Sequence, residues 1–198
     1  MRKMLVKLIL IVWGTFLFSL SFADNNLESV ISPDGTWIAF TKRSDFTVPR
    51  TCSDFFSKGD HGYEIWIFNT KTKEEKVLVK NHFSCDELKA LIINPSSLQF
   101  SPDGNILYFE VSAWERSHAI HAVNIHTLHE WYVADGNEFS VLQTGKKKGY
   151  LVVNQHRYRI KKDKSLESYD WDWLYTPEGK EIGAYEQQNY GFLSPICS

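Results

Sequence analysis

Along this chain, short stretches alternate apolar and polar side chains, and each is bounded by turn-forming residues. Glu64-Ile65-Trp66-Ile67-Phe68 and Ile106-Leu107-Tyr108-Phe109-Glu110 are examples, rich in β-branched and aromatic side chains. Such alternation predicts half-buried strands, and helical periodicity is hard to find, so the chain is expected to be all-β. The clearest signal is Ser101-Pro102-Asp103-Gly104-Asn105 running straight into the strand Ile106–Glu110. An earlier copy, Ser32-Pro33-Asp34-Gly35-Thr36, precedes Trp37-Ile38-Ala39-Phe40-Thr41. Pro presets φ for a tight turn, Asp bonds its own backbone, and Gly takes the left-handed position.

Two copies of a turn-plus-strand unit imply a repeat. Downstream, Ile65–Thr72 matches Ile120–Thr127 in apolar pattern and in a shared Asn-x-x-Thr turn. The downstream strands are 55 residues apart and the turns 69, so the first copy carries a 14-residue insertion between Phe40 and Tyr63, read as a long loop from Lys42 to Cys52. A weaker third copy has Gly149–Val153 as its second strand, Thr144–Lys148 in place of the Pro-Asp turn, and Trp171–Tyr175 as its third strand. Each copy reads as four strands. The first has Glu28–Ile31, Thr36–Lys42, Tyr63–Asn69 and Glu75–Lys80. The second has Leu98–Phe100, Ile106–Ser112, Ala119–Ile125 and Glu130–Val133. The third has Phe139–Leu142, Tyr150–Asn154 (or on to Ile160), Tyr169–Tyr175 and Glu181–Tyr185. Four-stranded units of roughly 40–50 residues are blades of a β-propeller, stacked so that each covers its neighbour. The blades are placed at 24–80, 96–134 and 138–186, with a tail at 187–198.

The Ser-Pro-Asp-Gly turn, followed by an aromatic strand and then by Glu64-Ile65-Trp66-Ile67-Phe68, resembles the TolB-type, WD-repeat-like propeller repeat. The resemblance covers the first two units well and the third poorly, and it implies a propeller scaffold without implying TolB's role. Closed propellers take four to eight blades. The expectation is therefore an incomplete or small propeller: either a divergent fourth blade lies around Cys85–Pro95 and the tail, or the blades form an open arc. An open arc leaves apolar faces and strand edges to cover, which the apolar tail (Tyr190, Phe192, Leu193, Ile196) and a homo-oligomer would do.

At 198 residues and 43% hydrophobic, the chain suits one domain with a sizeable core; a net charge of −2 argues against nucleic-acid binding. Residues 1–23 read as a signal peptide. Arg2, Lys3 and Lys7 precede the apolar run Leu8–Leu20, and Ser21-Phe22-Ala23 supplies small residues for cleavage. The run is shorter than the ~20 residues of a membrane span, so no span is expected after cleavage. The mature chain is expected to be periplasmic or secreted, and the lack of Asn-x-Ser/Thr sequons fits a bacterial envelope. There disulfides persist. Cys52 and Cys85 both belong to loops at the outer strands of the first blade and are the expected pair, with Cys197 the competitor for either.

The candidate chemistry is sparse. His118, His121, His126 and His129 resemble metal-ligand pairs, but i and i+3 on a strand point to opposite faces, so no metal site is expected. In Tyr169-Asp170-Trp171-Asp172-Trp173, alternation puts Trp171 and Trp173 on one face and Asp170 and Asp172 on the other. This is either a ligand platform for sugar or peptide, or blade-to-blade core with Asp at an edge. Asp34 and Asp103 read as turn residues, and Lys146-Lys147-Lys148 as a hairpin tip. No nucleophile elbow, P-loop or His-Glu-x-x-His is present, and no cofactor motif. The reading is a non-catalytic exported interaction module with a protein or glycan partner. The alternative is a hydrolase-type enzyme with a site at the propeller mouth.

Overall fold

The repeated turns fold as their residues dictate in a computed structural model that describes residues 28–49, 59, 61–84, 87–114 and 117–185. Ser32 Oγ donates to Asp34 Oδ1 at 2.6 Å, and the Thr36 N–H donates to the same oxygen at 3.0 Å. The Trp37 N–H donates to Ser32 Oγ at 2.9 Å. The hydrogen bonds from Ser32 and Thr36 hold the Asp34 carboxyl far below the usual carboxylate range. Ser101, Asp103, Asn105 and Ile106 repeat the arrangement at 2.6, 3.1 and 2.9 Å. Gly35 and Gly104 sit at φ +69° and +75°, a region open to glycine.

The chain forms three four-stranded antiparallel sheets whose strands neighbour one another in chain order, and the two turns join the first and second strands of the first two. Blade 1 comprises β1 (Ser29–Ile31), β2 (Trp37–Thr47), β3 (His61–Asn69) and β4 (Glu75–Val79). Blade 2 comprises β5 (Ser96–Phe100), β6 (Ile106–Trp114), β7 (Ser117–Asn124) and β8 (Glu130–Gly136). Blade 3 comprises β9 (Glu138–Val141), β10 (Leu151–Ile160), β11 (Leu166–Tyr175) and β12 (Glu181–Ala184). The expected all-β fold of four-stranded propeller-type blades is thus the observed one.

The blades stack through apolar faces set by the two-residue period. Ala39, Ile65 and Ile67 of blade 1 meet Leu107, Phe109 and Val123 of blade 2. The opposite face of blade 2, with Tyr108, Ile120 and Ala122, meets Phe139, Leu151 and Val153 of blade 3. Polar clamps fix the seams. The N–H groups of Ser97 and Leu98 donate to the Glu28 carboxylate at 2.8 and 2.6 Å. Gln99 bridges to the β9 backbone, donating to Phe139 O at 3.0 Å and accepting from the Val141 N–H at 3.1 Å.

Two expectations change. Lys42 to Thr47, expected within a loop, continues β2 as strand, with Thr47 opposite His61 across a register shift. Of the side chains there only Phe46 is apolar, so no alternation announced the pairing. Within Cys85–Pro95, the described residues form no blade: Leu88–Ala90 is a 3₁₀ turn and His82 bridges Ile92. Leu91 and Ile93 instead bury themselves against Val48, with Phe46 and Phe83 alongside. Residues 1–23, all three cysteines and the tail 187–198 lie outside the described residues.

Candidate functional site

The third blade owes its most polar feature to unequal strand lengths. β9 pairs with β10 only from Leu151 to Asn154, and β12 with β11 only at Trp173–Tyr175. The β10–β11 pairing runs on to Ile160↔Leu166, so its distal half is a two-stranded ribbon. One face of the ribbon carries Gln155 and Arg157 opposite Trp171 and Tyr169, and it borders a cleft of about 500 Å³ against Ser117, Asp135 and Gly136 of blade 2.

Arg157 is the hub of this cleft. Its Nη2 donates to Glu181 Oε2 at 2.6 Å and to Tyr175 Oη at 3.3 Å, and its Nε donates to Gln155 Oε1 at 2.9 Å. Gln155 in turn donates to the Asp135 carbonyl at 2.5 Å, tying the cluster to blade 2. The guanidinium carbon stands 3.4 Å from the Trp173 ring centroid. Burial works against the charge of Arg157, but the hydrogen bond and charge of Glu181 outweigh it and hold the group more firmly protonated than usual. The Arg157 hydrogen bond keeps Glu181 below the usual carboxylate range. Burial, and then the charge of Glu181, pushes the Tyr175 hydroxyl up. These groups present a fixed cation, a fixed anion and a neutral phenol.

Trp171 and Trp173 share the face toward blade 2, as alternation required, and Trp173 packs on the core of that seam beneath Arg157. The indole nitrogens of both are buried without a hydrogen-bond partner among the described residues. Asp170 and Asp172 lie on the opposite face, where Asp170 meets His156 Nδ1 at 2.8 Å and Asp172 accepts from Asn154 at 3.0 Å. The carboxylate beside the tryptophans is therefore that of Glu181, not of the intervening aspartates. Arg157, Gln155 and Glu181 were missed because their significance lies in cross-strand register; the Gln155-x-Arg157-x-Arg159 alternation opposite Trp171 was the available signal.

The histidines separate as their spacing predicts. His118 Nδ1 lies 3.4 Å from Glu110 Oε1 toward blade 3, whereas His121 Nδ1 lies 3.3 Å from Glu130 Oε1 on the face toward blade 1. His126 sits in the β7–β8 turn, 3.2 Å from Asn105 Oδ1, and His129 stacks on Trp131. Between β5 and β6, Ser97 Oγ donates to Glu110 Oε1 at 2.5 Å, while Glu110 Oε2 is buried without a partner among the described residues. Lys148 closes a turn onto the Gly145 carbonyl, and Lys146, Lys147 and Lys148 are exposed at this hairpin tip.

No family model and no curated protein matches the chain. Among solved structures it is similar to propeller proteins. The β-propeller domain of the Trilobed protease from Pyrococcus furiosus matches with 15% identity and TM-score 0.47, over 83% of this chain and 44% of that one. An acylaminoacyl peptidase from Pyrococcus horikoshii matches with 14% identity and TM-score 0.45, over 78% of this chain and 24% of that one. A putative TolB from Agrobacterium tumefaciens matches with 15% identity and TM-score 0.36, over 78% of this chain and 63% of that one. The chain thus spans 24 to 63% of the length of these structures. At such values the likenesses carry nothing about activity, and the blade architecture rests on the strand pairing itself.

Proposed function

We propose that this chain is an exported, non-catalytic, propeller-type binding module of the bacterial envelope, and that its partner, a protein or a glycan, engages the Arg157 cleft. One observation carries this reading: the polar groups of the cleft are fixed in charge and largely satisfied by one another. General acid–base chemistry wants a group that titrates near the working pH, whereas recognition wants preorganised donors, acceptors and an aromatic surface. Arg157 on Trp173 beside Glu181 supplies these. The test is a pulldown of the mature protein from its own envelope, repeated with Arg157→Ala. Loss of a captured partner supports the cleft, and equal capture by both proteins refutes it.

Export rests on the three-part pattern of residues 1–23, and cleavage after Ala23 is the expected processing; an intact mass that retains Met1–Ala23 would sink it. In that compartment Cys52 pairs with Cys85, which non-reducing peptide mapping decides against a Cys197 linkage. Association with a second copy is the proposed way of covering an outer blade face, where Tyr158, Ile160 and Leu166 are 62–75% exposed. Sedimentation that shows a monomer at every concentration would remove that part.

A second reading, a hydrolase-type enzyme, is favoured by Glu110, Ser97 and His118 converging toward the inner strands. Here the serine hydroxyl is bonded to the carboxylate rather than to the imidazole, so no activated serine is set up, and Glu110 would be the acid–base group. Hydrolysis of an ester, peptide or glycoside substrate that is lost in Glu110→Gln would establish it.

A further inference from the structure

We propose that a cavity between blade 2 and the segment His82–Ile92 that links it to blade 1, separate from the Arg157 cleft, is a binding site for a small zwitterion of the amino-acid class, organised by His121 and Glu130. His121 is 2% exposed, yet neither ring nitrogen makes a hydrogen bond among the described residues. Glu130 Oε1 lies 3.3 Å from Nδ1, near enough for charge attraction but out of line for a hydrogen bond. The ring is held in place all the same. Phe109 stacks on it at 5.5 Å and Tyr132 meets it edge-on at 6.0 Å. A register shift in the β7–β8 pairing falls between Ile120 and His121, and such bulges re-aim side chains next to binding sites. A buried imidazole without partners is costly to keep unless something satisfies it.

The space beside it measures about 560 Å³, within the roughly 300–1,000 Å³ of small-molecule sites. Its charged lining is mixed, with Glu87 and Glu130 against Lys89. A ligand with an ammonium at one end and a carboxylate at the other answers both signs, and a simple anion or cation answers only one. The Lys89 ammonium sits 4.5 Å from the Tyr132 ring centroid and 4.0 Å from Asp135 Oδ1, half-exposed in a weak ion pair that a ligand carboxylate can replace. The ligand ammonium meets Glu130 and Glu87, its carboxylate meets Lys89, and His121 hydrogen-bonds to the polar end nearest it. A metal ion fits less well, since no group of three His, Cys, Asp or Glu able to hold one is found among the described residues.

The experiment is calorimetric titration of the mature protein with the standard amino acids singly, then with the best binder acetylated at its amine or amidated at its carboxylate. At least one free amino acid binds, and either block weakens it by roughly tenfold or more. Glu130→Gln and Lys89→Ala, both at solvent-accessible side chains, weaken binding comparably while the circular dichroism spectrum stays unchanged. His121→Phe abolishes it, and Arg157→Ala leaves it alone, so the cleft and this site fail independently. The proposal is overturned if no free amino acid binds at millimolar concentration, if the blocked forms bind equally well, or if Glu130→Gln has no effect.

Discussion

Arg157 lies over Trp173, its guanidinium carbon 3.4 Å from the ring centroid, while the same group is bonded to Glu181 on the neighbouring strand. One side chain thus joins the aromatic surface of β11 to the carboxylate of β12. A planar, delocalised cation is needed for both contacts at once.

Arg157→Lys keeps the charge and loses the geometry. The expected result is a stability loss of about 1 kcal/mol in urea unfolding, together with loss of partner binding at the cleft. A variant as stable as wild type would show that the stacking contributes nothing.

Glu181 carries a pH dependence whose sign follows from its lowered pKa. In the folded chain it stays ionised below the ordinary value of 4.5. Its contribution is therefore present above that value and lost as pH falls through the lower folded one. Thermal melts from neutral to acid pH should show this acid loss, and Glu181→Gln should flatten that part of the profile.

Ser101 is 4% exposed, and its Oγ both accepts from the Ile106 N–H and donates to Asp103. Ser101→Ala leaves that part-buried N–H without its partner, at a cost of about 1 kcal/mol. Chemical denaturation measures it. A change near zero would mean that water replaces the hydroxyl.

At Gly136 blade 2 lies tight against blade 3, where an added Cβ would stand 2.4 Å from Val153 Cγ1 and 3.0 Å from the Asn154 carbonyl. Gly136→Ala must push the seam apart and should destabilise by about 1–3 kcal/mol. Because Gly136 also borders the Arg157 cleft, partner binding should fall with it.

His121→Phe removes two buried nitrogens that have no hydrogen-bond partner among the described residues and keeps a ring against Phe109. Without ligand, the variant should be more stable than wild type by about 1 kcal/mol, seen as a raised melting temperature. A function–stability exchange of this kind is expected at binding sites.

Sequence alone determined the blades, because local chemistry specifies them. Ser32-Pro33-Asp34-Gly35 and Ser101-Pro102-Asp103-Gly104 carry their own turn geometry, and alternation assigned Trp171 and Trp173 to one face and the intervening aspartates to the other. It also separated His118 from His121. What only the tertiary structure decided depends on register and on neighbours distant in the chain. The β2 extension at Lys42–Thr47 has Phe46 as its single apolar residue, too few to show an alternation, and is fixed by pairing with β3. By composition Leu91 and Ile93 suit a strand or a buried turn equally well, and packing on Val48 decides it. Arg157, Glu181 and Gln155 acquire their roles because β10, β11 and β12 lie side by side and lean on blade 2. His121 is one more alternating residue in the sequence; that it finds no hydrogen-bond partner among the described residues is decided by the packing of Phe109 and Tyr132 around its ring.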